Sequence, residues 1–462
     1  MTDLVVRGGT VVTAEGTSVA DVAVADGRIS AVGPGLPPAT ETLDASGLLV
    51  IPGCVDVHTH LRLPTDDEPD RFFQDTVAAA FGGTTTILTF NNPGTGISEP
   101  ASRSLIAGLR EFRARTDAES AVDFGLSAVL SGHQPDPIAE LPALVAAGVP
   151  TAKAFMVYDF RLTDDRLYAA LRAMTDLGGM LQVHCENATI IDALTADALA
   201  HGNVGCRYHA LTRPPYAEAE ASHRAIALAR AAGASVYLVH VSCADALAEV
   251  ATAKARGWPV YAETCPHYLS LTDERYAALD EAELIRSVIS PPLRSEADRQ
   301  ALWLGLALGG LDVVASDHVP DRLAVEKRVP ASPFPEISNG APGIETLLSV
   351  VYAEGVAPGR ITLERMVDLL AATPARLFGM PAKGAIEVGR DADIVLFDPV
   401  ADRVLAQSEL HHSSDFTPYE DRRIRGAVRT VLLRGRRVIE DGAFVGQRGL
   451  GQFQQRSPST ST

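Results

Sequence analysis

The sequence GCVDVHTHL (residues 53–61) sets two histidines, His58 and His60, one residue apart at the end of an apolar run. Residues i and i+2 of a β-strand point to the same face, so both imidazoles lie on one side of the predicted strand. A lone histidine at a strand end is more often a hydrogen-bonded core residue than a ligand. A pair on one face is the pattern of half a metal site, and its meaning depends on what else converges there.

Seven further apolar runs follow this strand, each trailed by a helix-like or loop segment: TTTILTF, DFGLSAVL, TAKAFM, MLQVHCE, SVYLVHVS, PVYAETCP and LDVVASDH. Nearly continuous apolar strands that alternate with helices are typical of a parallel sheet buried on both faces. Eight such units predict an α/β fold of the TIM (β/α)8 barrel type. A doubly wound sheet is the alternative, but no G-x-G-x-x-G follows the first strand.

The two ends of the chain have a different pattern of short strands that break at glycine. LVVRGGTVVTAEG near the start and AVRTVLLRGRRVIEDGAF near the end are examples, and two such segments can pair into one small β-sandwich. We therefore predict that residues 1–50 and 384–448 form a β-sandwich domain from both termini. Residues 51–383 form the catalytic barrel, and 449–462 are a polar tail whose last residues we expect to be disordered.

Composition limits the partners and the compartment. The net charge of −18 argues against nucleic acid or an anionic membrane as a partner, because both require a basic surface. The five cysteines form no C-x-x-C pair, and their odd number favours a reducing compartment. The start, MTDLVVRGG, lacks the pattern of a signal peptide, and no apolar run is long enough to span a bilayer. We expect a cytoplasmic protein.

Four more strands carry a potential metal ligand: Lys153 in TAKAFM, His184 in QVHCEN, His240 in LVHVS and Asp317 in ASDH. Active sites of barrels lie at the carboxyl ends of the strands, so these side chains are expected to meet His58 and His60. Alone, the lysine could extend to solvent and the aspartate could cap a helix. All of them together are improbable by chance. Neutral imidazoles and a carboxylate suit Zn²⁺ or a similar divalent ion.

The motifs DVHTHL, AAAFGGTTTI, KAFMVY, VHCEN, YHALTRPP, HVSC, ETCPHYL, SPPLR, SDH and PGIET cover almost the whole chain. In these motifs the sequence resembles the cyclic amidohydrolases, namely dihydropyrimidinases (hydantoinases), allantoinases and dihydroorotases. The resemblance implies a TIM barrel with a small β-sandwich and a site with two metal ions, usually zinc. It implies that one ion is bound by His58, His60 and Asp317 and the other by His184 and His240. It also implies that Lys153, carboxylated by CO₂, bridges them together with a hydroxide.

Physical chemistry agrees with a carboxylated lysine. Two divalent ions about 3.5–4 Å apart repel each other and need anionic bridges, which a neutral or cationic lysine cannot supply. A lysine held in a low-dielectric site has a lowered pKa, and its free amine can react with CO₂ to give an anionic ligand with two oxygens. Sharing between two ions lowers the pKa of the bridging water, so that hydroxide exists at neutral pH.

The resemblance also implies the roles of four residues in catalysis and binding. Asp317 accepts the proton of the hydroxide and delivers it to the leaving nitrogen. Tyr158, five residues after Lys153, supports the oxyanion, although it could instead pack under a loop. Ser290 in SPPLR and Asn339 in SNGAPG hold the amide of the ring, although both could be turn residues. We assign no ligand role to the other histidines: His133, His201, His209, His223, His267, His318, His411 and His412.

The expected substrate is a small cyclic amide or imide of the hydantoin or dihydropyrimidine type, opened to an N-carbamoyl amino acid. The alternative is an allantoinase or a dihydroorotase. TCPHYL and SDHVP also occur in both, and Arg62 and Asn92 match positions of dihydroorotases, in which an arginine binds the carboxylate of dihydroorotate. For a neutral ring we expect Arg62 at the rim, solvated or paired with an acid, and Asp66, Asp67 and Glu68 are possible partners. A non-catalytic scaffold is a further alternative, but all six candidate ligands are present. We expect a homo-oligomer, a dimer or tetramer.

Overall fold

The computed structural model describes residues 2–90, 104–278, 281–327 and 333–458. The strands are β1 Leu4–Val12, β2 Thr17–Ala25, β3 Arg28–Gly33, β4 Glu41–Asp44, β5 Leu49–Pro52, β6 Cys54–Thr59, β7 Thr84–Thr89, β8 Asp123–Leu126, β9 Ala128–Val129, β10 Thr151–Phe155, β11 Met180–His184, β12 Val236–Leu238, β13 Val260–Thr264, β14 Val313–Val314, β15 Ile394–Val404, β16 Arg423–Leu433, β17 Arg436–Glu440 and β18 Ala443–Phe444.

The α-helices are α1 Arg71–Phe81, α2 Leu105–Thr116, α3 Leu141–Ala146, α4 Asp164–Asp176, α5 Ala188–Ala200, α6 Arg207–Leu211, α7 Pro215–Ala232, α8 Ala244–Ala255, α9 Pro266–Ser270, α10 Arg275–Ala278, α11 Glu281–Leu284, α12 Glu296–Leu308, α13 Leu347–Val351, α14 Leu363–Val367 and α15 Thr373–Leu377. Short 3₁₀ turns cover Ile285–Ser287, Phe334–Glu336 and Gln407–Glu409, and π-helical turns cover Tyr352–Val356 and Asp368–Ala372.

Strands β6 to β14 pair in parallel, in chain order. One sheet has the order β6-β7-β8, and a second runs from β9 to β14. Strands β8 and β9 are separated only by Ser127, so one stretch of chain belongs to both sheets. A parallel bridge between Thr59 and His318 joins the end of β6 to the segment after β14. All eight apolar runs singled out in the sequence thus contain strands, and the α/β class with parallel strands is confirmed.

The two ends of the chain form a second, separate layer of structure. A nine-stranded sheet has the order β18-β17-β16-β15-β5-β1-β2-β3, with β4 paired to β1. Antiparallel pairing of β5 with β15 joins the N-terminal and C-terminal segments within this sheet. Its apolar residues pack into a core of their own, which includes Val22, Ile29, Ile394 and Leu432. The expectation that the two ends pair with each other is therefore met.

The segment 449–458 packs against the amino-terminal side of the parallel strands. The backbone of this segment exchanges hydrogen bonds with Phe124, through Gln452 and Gln454. The side chain of Arg456 is buried and donates to Thr151 Oγ1 at 2.9 Å and to the carbonyl of Phe378 at 3.4 Å. The polar tail is thus packed to residue 458, and its last four residues, on which the expectation of disorder falls, lie outside the described residues.

Two other expectations concern the cysteines and membrane spans. All five cysteines are buried with free thiols, in agreement with the absence of a disulfide framework: Cys54, Cys185, Cys206, Cys243 and Cys265. In the described ranges, no helix combines the length and the apolar character that crossing a bilayer requires.

Candidate metal centre

A cavity of about 670 Å³ opens at the carboxyl ends of the parallel strands. It is lined by eight of the nine residues that the sequence predicted for the site: His60, Lys153, Tyr158, His184, His240, Ser290, Asp317 and Asn339. The ninth, His58, is fully buried directly beneath, with its ring centroid 5.4 Å from those of both His60 and His240. The structure therefore brings all nine predicted residues to one place.

The first cluster of candidate ligands consists of His58, His60 and Asp317. Asp317 Oδ1 lies 3.0 Å from His58 Nε2 and 3.4 Å from His60 Nε2. One donor atom from each of the three residues lies within 4.8 Å of the others, which is the spacing of ligands around one ion. Burial lowers the pKa of His60 to about 3, so this ring is held in the neutral form that binds metals.

Lys153 projects from the middle of β10 toward this cluster. Its Nζ lies 2.8 Å from His58 Nε2 and 4.1 Å from the ring centroid of Phe90, and the side chain is almost fully buried. Burial lowers the pKa of Lys153 to about 8, against the opposing charges of Asp317 and Glu263. A free amine is therefore accessible near neutral pH, as formation of a carbamate requires.

His184 and His240 form a second cluster on the neighbouring strands. His240 Nε2 lies 2.9 Å from His184 Nδ1, and the ring centroids are 4.4 Å apart. Burial lowers the pKa of both rings, and for His240 the charge of His184 lowers it further. Two neutral imidazoles whose ring nitrogens face each other at this distance are suited to share one ion.

Two buried glutamates orient these rings, and neither of them was predicted from the sequence to have a role. Glu263, at the end of β13, accepts a hydrogen bond from His58 Nδ1, and its other oxygen accepts from Tyr237 Oη at 2.7 Å. Glu186 lies 2.7 Å from His184 Nε2 and 2.5 Å from an Arg213 nitrogen. Carboxylates of this kind fix which ring nitrogen is free for a metal. The signal was present, because Glu263 ends a predicted strand and Glu186 belongs to VHCEN.

Three residues that are not glycine have left-handed backbones at this site. The φ angles are +72° at Tyr158, +41° at His240 and +49° at Asp317. Such conformations cost free energy and persist only where the surrounding structure imposes them. Their clustering at the cavity indicates that the fold imposes unfavourable backbone angles here in order to direct these three side chains.

Tyr158, Ser290 and Asn339 lie on the walls of the cavity. The ring of Tyr158 is 5.7 Å from that of His184. The Ser290 N–H donates to the carbonyl of Asn339 at 3.1 Å, which joins the two loops. His209, for which no ligand role was predicted, supports this wall because its Nε2 lies 3.1 Å from Ser290 Oγ and 2.9 Å from the carbonyl of Ile289. No spacing in the sequence connects His209 with Ser290, 81 residues later.

Arg62 also lines the cavity, and it is paired with an acid as expected for a neutral ring. The acid is not in the adjacent run from Asp66 to Glu68. Asp321, which is fully buried, accepts a hydrogen bond from Arg62 at 2.8 Å. The pairing follows from the fold, since the segment after β14 lies beside the end of β6. Asn92, the other residue that favoured a dihydroorotase, lies outside the described residues.

These residues fit a divalent metal pair by the chemistry of their donors. A carboxylate holds one ring nitrogen of His58 and of His184, and the other nitrogen of each ring faces the remaining candidate ligands. The Nδ1 of His240 is buried without a hydrogen-bond partner among the described residues, and its Nε2 faces the candidate ligand His184. The set of nitrogen and oxygen donors is that of Zn²⁺ or a similar ion.

Comparison with known proteins identifies the family. The model of the amidohydrolase family matches residues 49–438. A D-hydantoinase from Ralstonia pickettii is 40% identical over 459 residues, covering 98% of this chain and 99% of the relative. A D-phenylhydantoinase from Escherichia coli is 36% identical, with 98% of both chains covered. The crystal structure of a dihydropyrimidinase from Brevibacillus agri superimposes with a TM-score of 0.94 at 39% identity, with both chains fully covered.

The chain belongs to the amidohydrolase family. The predicted resemblance to cyclic amidohydrolases is thereby confirmed, as is the prediction of an enzyme of the class that hydrolyses cyclic amides.

Proposed function

We propose that this protein hydrolyses the ring amide of a hydantoin or dihydropyrimidine to an N-carbamoyl amino acid. The single observation that carries the proposal is that two histidine clusters, His58 with His60 and His184 with His240, meet at one cavity with the buried amine of Lys153 and the carboxylate of Asp317. The names of the relatives support the choice of ring, because hydantoinases and a dihydropyrimidinase are among them.

The proposed centre contains two divalent ions, most simply zinc. His58, His60 and Asp317 would hold one ion, and His184 and His240 the other. Lys153 would bridge them as its carbamate, which forms when the free amine adds to CO₂ and releases a proton. The bound ions would supply a hydroxide at neutral pH and would polarise the ring carbonyl.

The chain's own residues manage the proton and the developing charge. Hydrolysis forms a bond from oxygen to the carbonyl carbon and breaks the bond from that carbon to the ring nitrogen. Asp317 accepts the proton of the attacking oxygen and delivers it to the leaving nitrogen, so that acid and base are the same carboxylate. The phenol of Tyr158 donates to the carbonyl oxygen as negative charge develops there. Ser290 and Asn339 hold the amide of the ring through backbone and side-chain contacts.

The character of the cavity walls favours a neutral or apolar ring substituent. Phe155, Phe160, Val319, Val325 and Ile337 line the cavity, and such side chains bury apolar groups. Arg62, the residue that would attract a carboxylate, already neutralises Asp321. Dihydroorotate is therefore the second candidate, favoured by the position of Arg62 in the wall of the cavity.

The finer organisation of the chain is part of the same proposal. We propose that the parallel strands close into an eight-stranded TIM barrel, supported by the bridge from Thr59 to His318. The sheet formed by both termini, with its separate core, supports a small β-sandwich domain with the bounds 1–50 and 384–448. A cytoplasmic location and a homo-oligomer of two or four chains complete the proposal.

Turnover of four rings tests the proposed reaction. Purified, metal-loaded protein is supplied separately with dihydrouracil, hydantoin, allantoin and dihydroorotate, and the ring-opened product is quantified. The proposal expects dihydrouracil or hydantoin to give the highest kcat/KM. A clear preference for dihydroorotate or allantoin would contradict the choice of ring, and no turnover of any ring would contradict the proposed reaction.

A further inference from the structure

Lys327 is a fully buried lysine that lies outside the two ligand clusters. Its Nζ donates to the carbonyl of Val288 at 2.8 Å and to the carbonyl of Ser338 at 2.7 Å. Burying an ammonium group is costly unless its hydrogens find acceptors. Both acceptors here belong to loops rather than to helices or strands. The lysine therefore ties two irregular segments of chain together.

These two segments are the ones that carry the proposed contacts to the ring amide. Val288 precedes Ser290 by two residues, and Ser338 directly precedes Asn339. A third link connects the segments directly, since the Ser290 N–H donates to the carbonyl of Asn339. Because neither segment has a regular ladder of hydrogen bonds, the distance between them depends on individual bonds such as those of Lys327.

The environment of Lys327 holds the amine in this position. Its Nζ lies 5.8 Å from the ring centroid of Phe416. Asp321, the buried partner of Arg62, is the first charge that stabilises the ammonium form. Burial outweighs that charge and lowers the pKa of Lys327 to about 8. Lys327 thus donates to carbonyl oxygens, and the carboxylate that stabilises its charge, that of Asp321, is already paired with Arg62.

We propose that Lys327 is a positioning residue that sets the spacing of the two loops presenting Ser290 and Asn339, and thereby the affinity for the ring amide. The inference rests on the proposed function, because it takes from it the roles of Ser290 and Asn339. It goes beyond that function by assigning the control of substrate affinity to a side chain that touches neither substrate nor metal ligand.

The test compares Lys327→Met with Lys254→Met in the full-length, metal-loaded protein. Lys254 is a matched control, because it also bonds a carbonyl, that of Gly309 at 3.1 Å, together with Asp312, at a distant part of the fold. KM and kcat for dihydrouracil and hydantoin, zinc content and Tm are measured for each variant. The proposal expects Lys327→Met to raise KM about tenfold or more, in line with the loss of hydrogen bonds from a charged group, with a much smaller change in kcat. Zinc content stays that of the wild type, and Lys254→Met leaves KM unchanged.

A wild-type KM in folded Lys327→Met protein would overturn the proposal, as would a loss of zinc that accounts for the loss of turnover. If Lys327→Met does not fold, Lys327→Gln is assayed, because an amide can still donate to one of the two carbonyls. A raised KM is again expected, and a wild-type KM in that variant would overturn the proposal. Failure of the proposed function is distinguishable, since the wild-type protein would then open neither ring.

Discussion

Glu263 accepts a hydrogen bond from Nδ1 of His58, which leaves Nε2 of the same ring facing Asp317 and Lys153. We predict that Glu263→Gln lowers the affinity for the first metal ion by about 10–100-fold, the usual effect of removing a residue that orients a ligand. Competition with a chelator at graded concentrations measures this affinity directly.

Tyr237→Phe is the matched control for that variant. It removes the hydroxyl that donates to the other Glu263 oxygen and leaves the bond to His58 in place. We expect a metal affinity close to that of the wild type. Equal losses in both variants would mean that Glu263 acts through the packing of the interior and not through the orientation of His58.

Lys153→Ala should lose metal and activity together, because the variant lacks the proposed anionic bridge between the ions. Short carboxylic acids added to the variant should restore part of both by taking the place of the carbamate. Metal content and turnover are measured side by side with and without acetate. Full activity in the variant would rule out the bridge, and a lysine with only a structural role would lower Tm alone.

Asp317→Asn should lower kcat by at least about 10²–10⁴-fold, the range usual for a general acid–base residue. An amide cannot accept the proton of the attacking oxygen, and it is also a weaker ligand. Steady-state kinetics at saturating metal separate the two effects. A fall of less than tenfold with full metal content would show that another residue moves the proton.

Arg62→Met should leave kcat/KM for dihydrouracil and hydantoin within a few-fold of the wild type, because a neutral ring offers no anion for Arg62 to bind. Tm should fall, since fully buried Asp321 loses its partner. If Arg62 instead binds the carboxylate of dihydroorotate, kcat/KM for that ring falls by roughly ten- to a hundredfold. That result, with dihydroorotate as the preferred ring, would overturn the choice of substrate.

The strands and the candidate ligands were predictable because both are encoded locally. A buried parallel strand is a short apolar run whose carboxyl end lies at the cavity, so His58 and His184 could be located from the ends of β6 and β11. The same reasoning applied to Glu263 would have found the residue that orients His58. It was missed because the pattern of histidines near strand ends predicts metal ligands, whereas Glu263 holds a ligand and is not part of that pattern.

Contacts between distant segments were not predictable. Arg62 pairs with Asp321, 259 residues away, although three acids follow it within six residues in the sequence. The distance between charges along the sequence is a poor guide to pairing here. An exposed ion pair contributes little to stability, whereas a buried carboxylate is costly to leave without a partner. Likewise, the polar composition of the C-terminal segment gave no sign that Arg456 would be buried beneath the strands.

The central claim is that six converging side chains hold two divalent ions on which turnover depends. Elemental analysis of active protein, made with adequate zinc and bicarbonate, tests it most directly. We predict about two divalent ions per chain, loss of hydantoin and dihydrouracil hydrolysis when a chelator removes them, and recovery when zinc and bicarbonate are restored. Full activity in protein that contains no bound metal would contradict the claim.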